Sequence, residues 1–221
     1  MIKRNGIFLG LSLLFIITLG IALLYFQKGD LHLLLCDHHT SAGDVFFRYY
    51  THIAEWFPYF VCIGLLLFGR IGEGAFASAA MLATTLVTQI IKHIFVAPRP
   101  LTWFGENLPH IQLPLAEGVK MNHWYSFPSG HTTSFFALAF VVSYVATQKL
   151  EDKPAWSACV QILLFIAAAL GGYSRIYLSQ HFALDVFGGT LVGILISLVC
   201  YAIFHHYEDK KWYNYRLISK K

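Results

Sequence analysis

The sequence predicts an all-α protein: a six-span transmembrane helical bundle with an outward-facing active site. Three observations lead there. Hydrophobic residues make up 57% of the 221 and charged residues only 13%, against about a quarter charged in an ordinary soluble domain. Apolar runs near the roughly 20 residues needed to cross a hydrocarbon core recur along the chain. Short motifs of basic and imidazole side chains then sit at the ends of the later runs.

The first span is read over about 7–26, from Ile7 to Phe26. Its Met1-Ile2-Lys3-Arg4 start resembles a signal peptide, but the apolar run is too long and Gln27-Lys28-Gly29-Asp30 offers no small-residue cleavage site. A retained helix is expected. An outer loop over about 27–52 follows, mixing a short apolar run with Asp37, His38, His39, Asp44 and the cluster Val45-Phe46-Phe47-Arg48-Tyr49-Tyr50. Aromatics beside charges suit a segment lying in the headgroup region. Asp37-His38-His39 reads as a solvated loop, since adjacent side chains point apart and nothing nearby completes a metal cage.

The second and third spans are read over about 53–69 and 75–96, the second being short. Pro98 to Pro128, rich in Pro, Gly and Trp, forms most of a second outer loop over about 97–130. It is expected to be irregular and to act as a lid or substrate-selecting loop. The remaining spans are read over about 131–147, 155–173 and 183–204, and the tail from Lys210-Lys211-Trp212-Tyr213 to Lys220-Lys221 as a basic, aromatic interfacial anchor. Residues 1–221 are thus expected to form a single integral membrane domain in the lipid bilayer. Cys36, Cys62, Cys159 and Cys200 are scattered and suggest no disulfide framework.

Charge asymmetry orients the bundle. Lys3, Arg4, Arg70, Lys149, Lys153, Lys210, Lys211, Arg216, Lys220 and Lys221 fall on one side; Lys28, Arg48, Lys92, Arg99, Lys120 and Arg175 fall on the other. Three of the second group belong to the chemical motifs, so both termini are expected in the cytoplasm and the motifs outside.

Those motifs are Lys92 through Arg99-Pro100, Pro128-Ser129-Gly130-His131, and Ser174-Arg175 followed by His181 and Asp185. Transfer of a phosphoryl group depends on positioning and on neutralising negative charge, and Lys92, Arg99 and Arg175 supply three cations. Pro100 pushes Arg99 out of helical geometry. Ser129 is a plausible N-cap, Gly130 lets backbone approach a ligand, and a helix N-terminus there is a ready anion site. His181 and Asp185 are four apart, so on one helix face the carboxylate fixes the imidazole tautomer and leaves the other nitrogen as nucleophile or base. His131 is then available to protonate a leaving group.

Lys92-x6-Arg99-Pro100, Pro128-Ser129-Gly130-His131 and Ser174-Arg175-x5-His181-x3-Asp185 resemble the three signature motifs of the type 2 phosphatidic acid phosphatase superfamily, whose members share a helical core with vanadium haloperoxidases. The resemblance implies that His181 is a nucleophile forming a phosphohistidine, Asp185 its partner, and His131 the acid and later the base toward water. It makes Lys92, Arg99, Ser129, Gly130 and Arg175 the phosphate cradle. Ser174 is placed with that phosphate-binding set, with local hydrogen bonding as its other reading. No metal site, no cofactor and no nucleic-acid partner is expected. The expected activity is metal-independent hydrolysis of a membrane lipid phosphate, with lipid A phosphate, undecaprenyl pyrophosphate, phosphatidylglycerol phosphate and phosphatidic acid all fitting. A bacterial inner membrane is the preferred setting, because the chain is compact and lacks an Asn-x-Ser/Thr sequon. The alternatives are a vanadate-dependent haloperoxidase-like enzyme and a non-catalytic anion or lipid transporter.

Overall fold

A computed structural model describes residues 5–217. Lys3, Arg4, Lys220 and Lys221, used above to orient the bundle, and the signal-like start lie outside the described residues. The described chain is helical, without strands: α1 Gly6–Tyr25, α2 Lys28–Cys36, α3 Ser41–Tyr50, α4 Trp56–Gly69, α5 Ile71–Ile94, α6 Pro100–Asn107, α7 Gly130–Lys149, α8 Pro154–Tyr177, α9 Ala183–His205 and α10 Lys211–Asn214. A 3-10 turn, Thr51–Ala54, links α3 to α4.

Among the described residues five helices, α1, α5, α7, α8 and α9, are long and apolar enough to cross a membrane. The sixth crossing differs from the expected 53–69. α4 has 14 residues, which at 1.5 Å per residue reach about 21 Å, short of a core of about 30 Å. Together with Ser41–Ala54 it is long and apolar enough for one crossing, with a bend of 49° between the two halves. Glu55 takes an extended conformation between the two halves, so the helical hydrogen bonding is interrupted there and the axis changes direction. The loop expected over 27–52 is therefore largely helical. Thr40 starts α3, its hydroxyl accepting from Gly43 N at 3.0 Å.

α7 is the centre of the bundle, packing on α5, α8 and α9, with Phe135, Phe136, Phe140 and Tyr144 buried along it. Small residues allow the closest approach. A Cβ on Gly189 of α9 would meet Ser129 O at 2.6 Å, and one on Gly193 would meet Thr133 O at 2.8 Å. α1 sits outside, its apolar side chains other than Phe8 exposed or half-buried, as a lipid-facing helix requires. Its first turn is held by Gln161 of α8, whose Oε1 accepts from Ile7 N and Phe8 N at 3.1 Å.

The two ends of the bundle differ in chemistry. At the end bearing the α4–α5 turn, buried Glu73 meets Lys149 at 3.3 Å and Arg70 at 3.7 Å. The tail is more than an anchor, because Tyr213 is 1% exposed and lies against Gly72. The opposite end carries the three motifs.

Candidate active site

Three helix ends and one loop converge there. α5 delivers Lys92 in its last turn, α7 begins at Gly130, and α8 runs one turn past the expected boundary at 173 to carry Ser174 and Arg175. Hydropathy stops at the first polar residues, whereas backbone hydrogen bonding continues until Tyr177. The segment Pro98 to Pro128 is irregular only in part, since Pro100 at the first position of α6 starts a helix. Arg99, just before it, has φ −81 and ψ 165, the extended geometry its proline dictates.

Ser129 is the N-cap of α7. Its Oγ accepts from Thr132 N at 3.4 Å and from Thr132 Oγ1 at 2.9 Å, while its own N–H donates to Asp185 O at 2.9 Å. That last bond ties the second motif to the third.

His181 does not share a helix face with Asp185. It lies in the connection before α9, whose N-cap is Phe182, and the tight α8–α9 turn, with Gln180 N and His181 N both donating to Arg175 O at 3.0 Å, folds it back over the helix start. Asp185 Oδ2 is 3.4 Å from His181 Nδ1. Nδ1 makes no aligned hydrogen bond; the same oxygen instead accepts from Phe182 N at 2.8 Å and Ser126 Oγ at 2.5 Å. The carboxylate therefore caps α9 and faces the imidazole at once. His181 is 1% exposed. Burial, and then the charges of Arg99, Arg175 and Lys92, hold its pKa well below the usual histidine range, so the ring is neutral with Nε2 turned from the carboxylate.

The cations are held by neutral acceptors. Lys92 Nζ donates to Tyr125 O. Arg99 donates from Nε to Trp124 O at 3.0 Å and from NH1 to Gln180 O at 3.1 Å and Gln180 Oε1 at 3.3 Å; burial lowers its pKa and Asp185 opposes the shift. Arg175, 6% exposed, donates from NH1 to Thr51 Oγ1 at 2.6 Å and leaves Nε without a partner. His131 reaches the site from α7, its Nε2 4.0 Å from Glu55 Oε1.

Cavities surround these groups. One of about 450 Å³ is lined by Lys92, Arg99, His93 and His123. Another, of about 200 Å³, is lined by Gly130, His131, Thr88 and Gln89. Ser174 is the exception among the expected site residues: fully buried, its hydroxyl donates to Gly171 O at 2.6 Å inside its own helix. His39 also departs from its solvated reading, pairing with Asp44 at 2.7 Å and stacking on Tyr177 at 4.2 Å.

Ser126, Thr51, Gln180 and Glu55 escape a reading of the sequence. Only Ser126, two residues before Pro128, and Gln180, beside His181, are near a motif in sequence. Thr51 and Glu55 come from the bend before α4.

The arrangement gathers fixed positive charge, a neutral buried imidazole backed by a carboxylate, and a second imidazole, a set suited to anionic phosphorus. The family model of the PAP2 superfamily matches residues 73–209. Lipid phosphate phosphatase 2 of Arabidopsis thaliana is 32% identical over 149 residues, 60% of this chain and 51% of that protein. This chain thus spans about half the length of that relative. Lipid A 4'-phosphatase of Porphyromonas gingivalis is 25% identical over 173 residues, 74% of this chain and 67% of that one. The crystal structure of Aquifex aeolicus LpxE superposes with a TM-score of 0.65 at 28% identity, covering 80% of this chain and 97% of that chain.

Proposed function

Because the chain belongs to the PAP2 superfamily, an assignment its residues 73–209 carry, we propose that it hydrolyses phosphate from a membrane lipid through a phosphohistidine. The observation that carries this reading is the meeting of His181, Asp185, His131 and three cations at one end of a membrane bundle. The named activities of its relatives support it.

In the proposed reaction Lys92, Arg99 and Arg175 neutralise the phosphate, with the Ser129 hydroxyl and the Gly130 backbone N–H at the start of α7 donating to it. His181 Nε2 attacks phosphorus while the bond to the lipid oxygen breaks, and His131 gives that oxygen its proton. Asp185 stabilises the positive charge that develops on the His181 ring. Water, losing its proton to His131, then attacks phosphorus, and the P–N bond breaks to return His181 and release inorganic phosphate. The cationic cradle does the neutralising in this scheme, so activity is expected to survive exhaustive EDTA and to fall with vanadate.

We place the site at the outer face of a bacterial inner membrane, with both termini cytoplasmic, on the charge asymmetry of the loops. The test is a panel of purified lipid phosphates assayed for released phosphate, with rapid acid quench for the phosphoenzyme. Halide oxidation with added vanadate would point to a haloperoxidase instead. Binding of lipid phosphates without any release would point to a transporter.

A further inference from the structure

We infer that the protein has a second anion site, beside the cradle, which takes another phosphate of the same lipid headgroup. The inference rests on the lipid phosphatase reading and adds a substrate class to it: headgroups bearing two phosphates.

The site is a cavity of about 260 Å³ between the end of α3 and the loop before α7, lined among others by Arg48, His52, Lys120, Asn122, Arg175 and Gln180. Three of these are fixed cations and none is a carboxylate. Glu55, an acid nearby, is engaged by His52 Nδ1 at 2.6 Å. At about 30 Å³ per liquid water, the cavity admits a tetrahedral oxyanion with several waters.

Two of the cations, Arg48 and Arg175, are built in. Arg48 donates from NH1 to Glu117 O and from NH2 to Tyr49 OH, both at 3.0 Å, and its guanidinium lies 4.9 Å from the Tyr49 ring centre. The loop is shaped around it: Gly118 has φ 75, and a Cβ there would meet Arg48 NH1 at 2.6 Å. These partners orient the guanidinium without neutralising it. Arg175, almost wholly buried, lines the same cavity and keeps a buried Nε with no partner. An unpaired donor on a buried cation is costly, and an anion in this cavity would satisfy it.

Arg175 joins the two sites. It belongs to the proposed cradle and lines the second cavity, while Gln180 lines that cavity and accepts from Arg99. A headgroup with two phosphates can therefore engage both sites around one guanidinium. A headgroup with one phosphate fills only the cradle. Arg48 and Lys120 lie outside the three motifs, so they separate this site from the reaction.

The experiment compares Lys120→Ala and Arg48→Gln with the parent chain on two matched pairs: a prenyl monophosphate with its diphosphate, and a disaccharide lipid with one phosphate or two. The expected result is a rise of about tenfold in KM for a two-phosphate member, as for loss of a charge-assisted contact, with kcat/KM on its one-phosphate partner unchanged. Lys120→Arg should restore the parent value. Equal effects within both pairs, or none, would overturn the proposal; Lys120 is exposed, so its variant does not depend on a rebuilt loop. If Lys120→Ala weakens inhibition by inorganic phosphate yet leaves both pairs alike, the cavity holds free product and the headgroup assignment is wrong. If the parent chain releases phosphate from none of the four lipids, the phosphatase reading fails. The site is then judged by binding to vesicles containing each lipid, where tighter binding to the two-phosphate lipid, lost in Lys120→Ala, is the expected result and equal binding refutes it.

Discussion

One carboxylate oxygen, Asp185 Oδ2, accepts from Phe182 N and Ser126 Oγ while lying 3.4 Å from His181 Nδ1. Its two tasks can be separated. Asp185→Asn keeps an oxygen that can still cap α9 but loses the charge facing the imidazole, so kcat should drop by about a thousandfold or more while the melting temperature changes little. Ser126→Ala removes only a donor and should cost roughly tenfold in kcat. If the serine variant is the more damaged of the two, the charge is not what matters. His181→Ala should abolish turnover and the acid-labile phosphoenzyme together; a phosphoenzyme that persists would place the nucleophile elsewhere. His131 has a different signature, because an acid matters most for a poor leaving group. His131→Ala should lose far more rate on an alkyl phosphate than on p-nitrophenyl phosphate, and an equal loss would leave it only a positioning role.

Between α7 and α9, register is set by bare backbone. Gly189 and Gly193 let Ser129 and Thr133 come within contact distance, and the Ser129 N to Asp185 O bond then aligns the anion-facing start of α7 with the histidine loop. Leucine at Gly193 would force the two helices apart, an overpacking that typically costs 1–3 kcal/mol. Gly193→Leu should lower the apparent melting temperature in detergent and reduce activity, although position 193 lies well below the cradle. Full activity in this variant would show that the cradle does not depend on the spacing. The bend at Glu55 acts at the same scale: it brings Thr51 to Arg175 and Glu55 to His131, contacts that a straight span from 53 to 69 could not supply.

Across the whole molecule, burial of neutral histidines makes stability depend on pH. His32 is fully buried, and burial lowers its pKa to about 4, with Asp185 opposing the shift and Lys28 adding to it. His181 is lowered as well. An unfolded histidine titrates near 6.5, so below that pH the unfolded chain binds protons that the folded chain refuses. Stability present at pH 7.5 is therefore lost as pH falls from about 6.5 toward 4, with His32 alone accounting for on the order of 2 kcal/mol at pH 5. The apparent melting temperature should drop between pH 7.5 and 5, and His32→Gln should flatten the drop. Orientation is tested at this scale too. With the four native cysteines replaced, Gly118→Cys should react with an impermeant thiol reagent on intact cells and Asp152→Cys only after lysis. The reverse pattern would turn the site toward the cytoplasm.

Composition and run length alone made the helical membrane bundle legible, because a hydrocarbon core demands long apolar segments whatever their neighbours do. The motif spacings marked His131, His181, Asp185 and the three cations as the site proposed here, since charged and imidazole groups at the ends of apolar helices are conspicuous. Local sequence could not show that Asp185 meets His181 through a folded-back turn, that Ser174 bonds within its own helix, or that the short α4 needs α3 to complete a bent span. Thr51, Glu55 and Arg48 carry no signature, being single polar residues far along the chain from the motifs they approach, and Lys120 is one basic residue within a loop. Their positions follow from helix packing and loop shape, which are set by contacts between distant segments, and only the tertiary structure decides those.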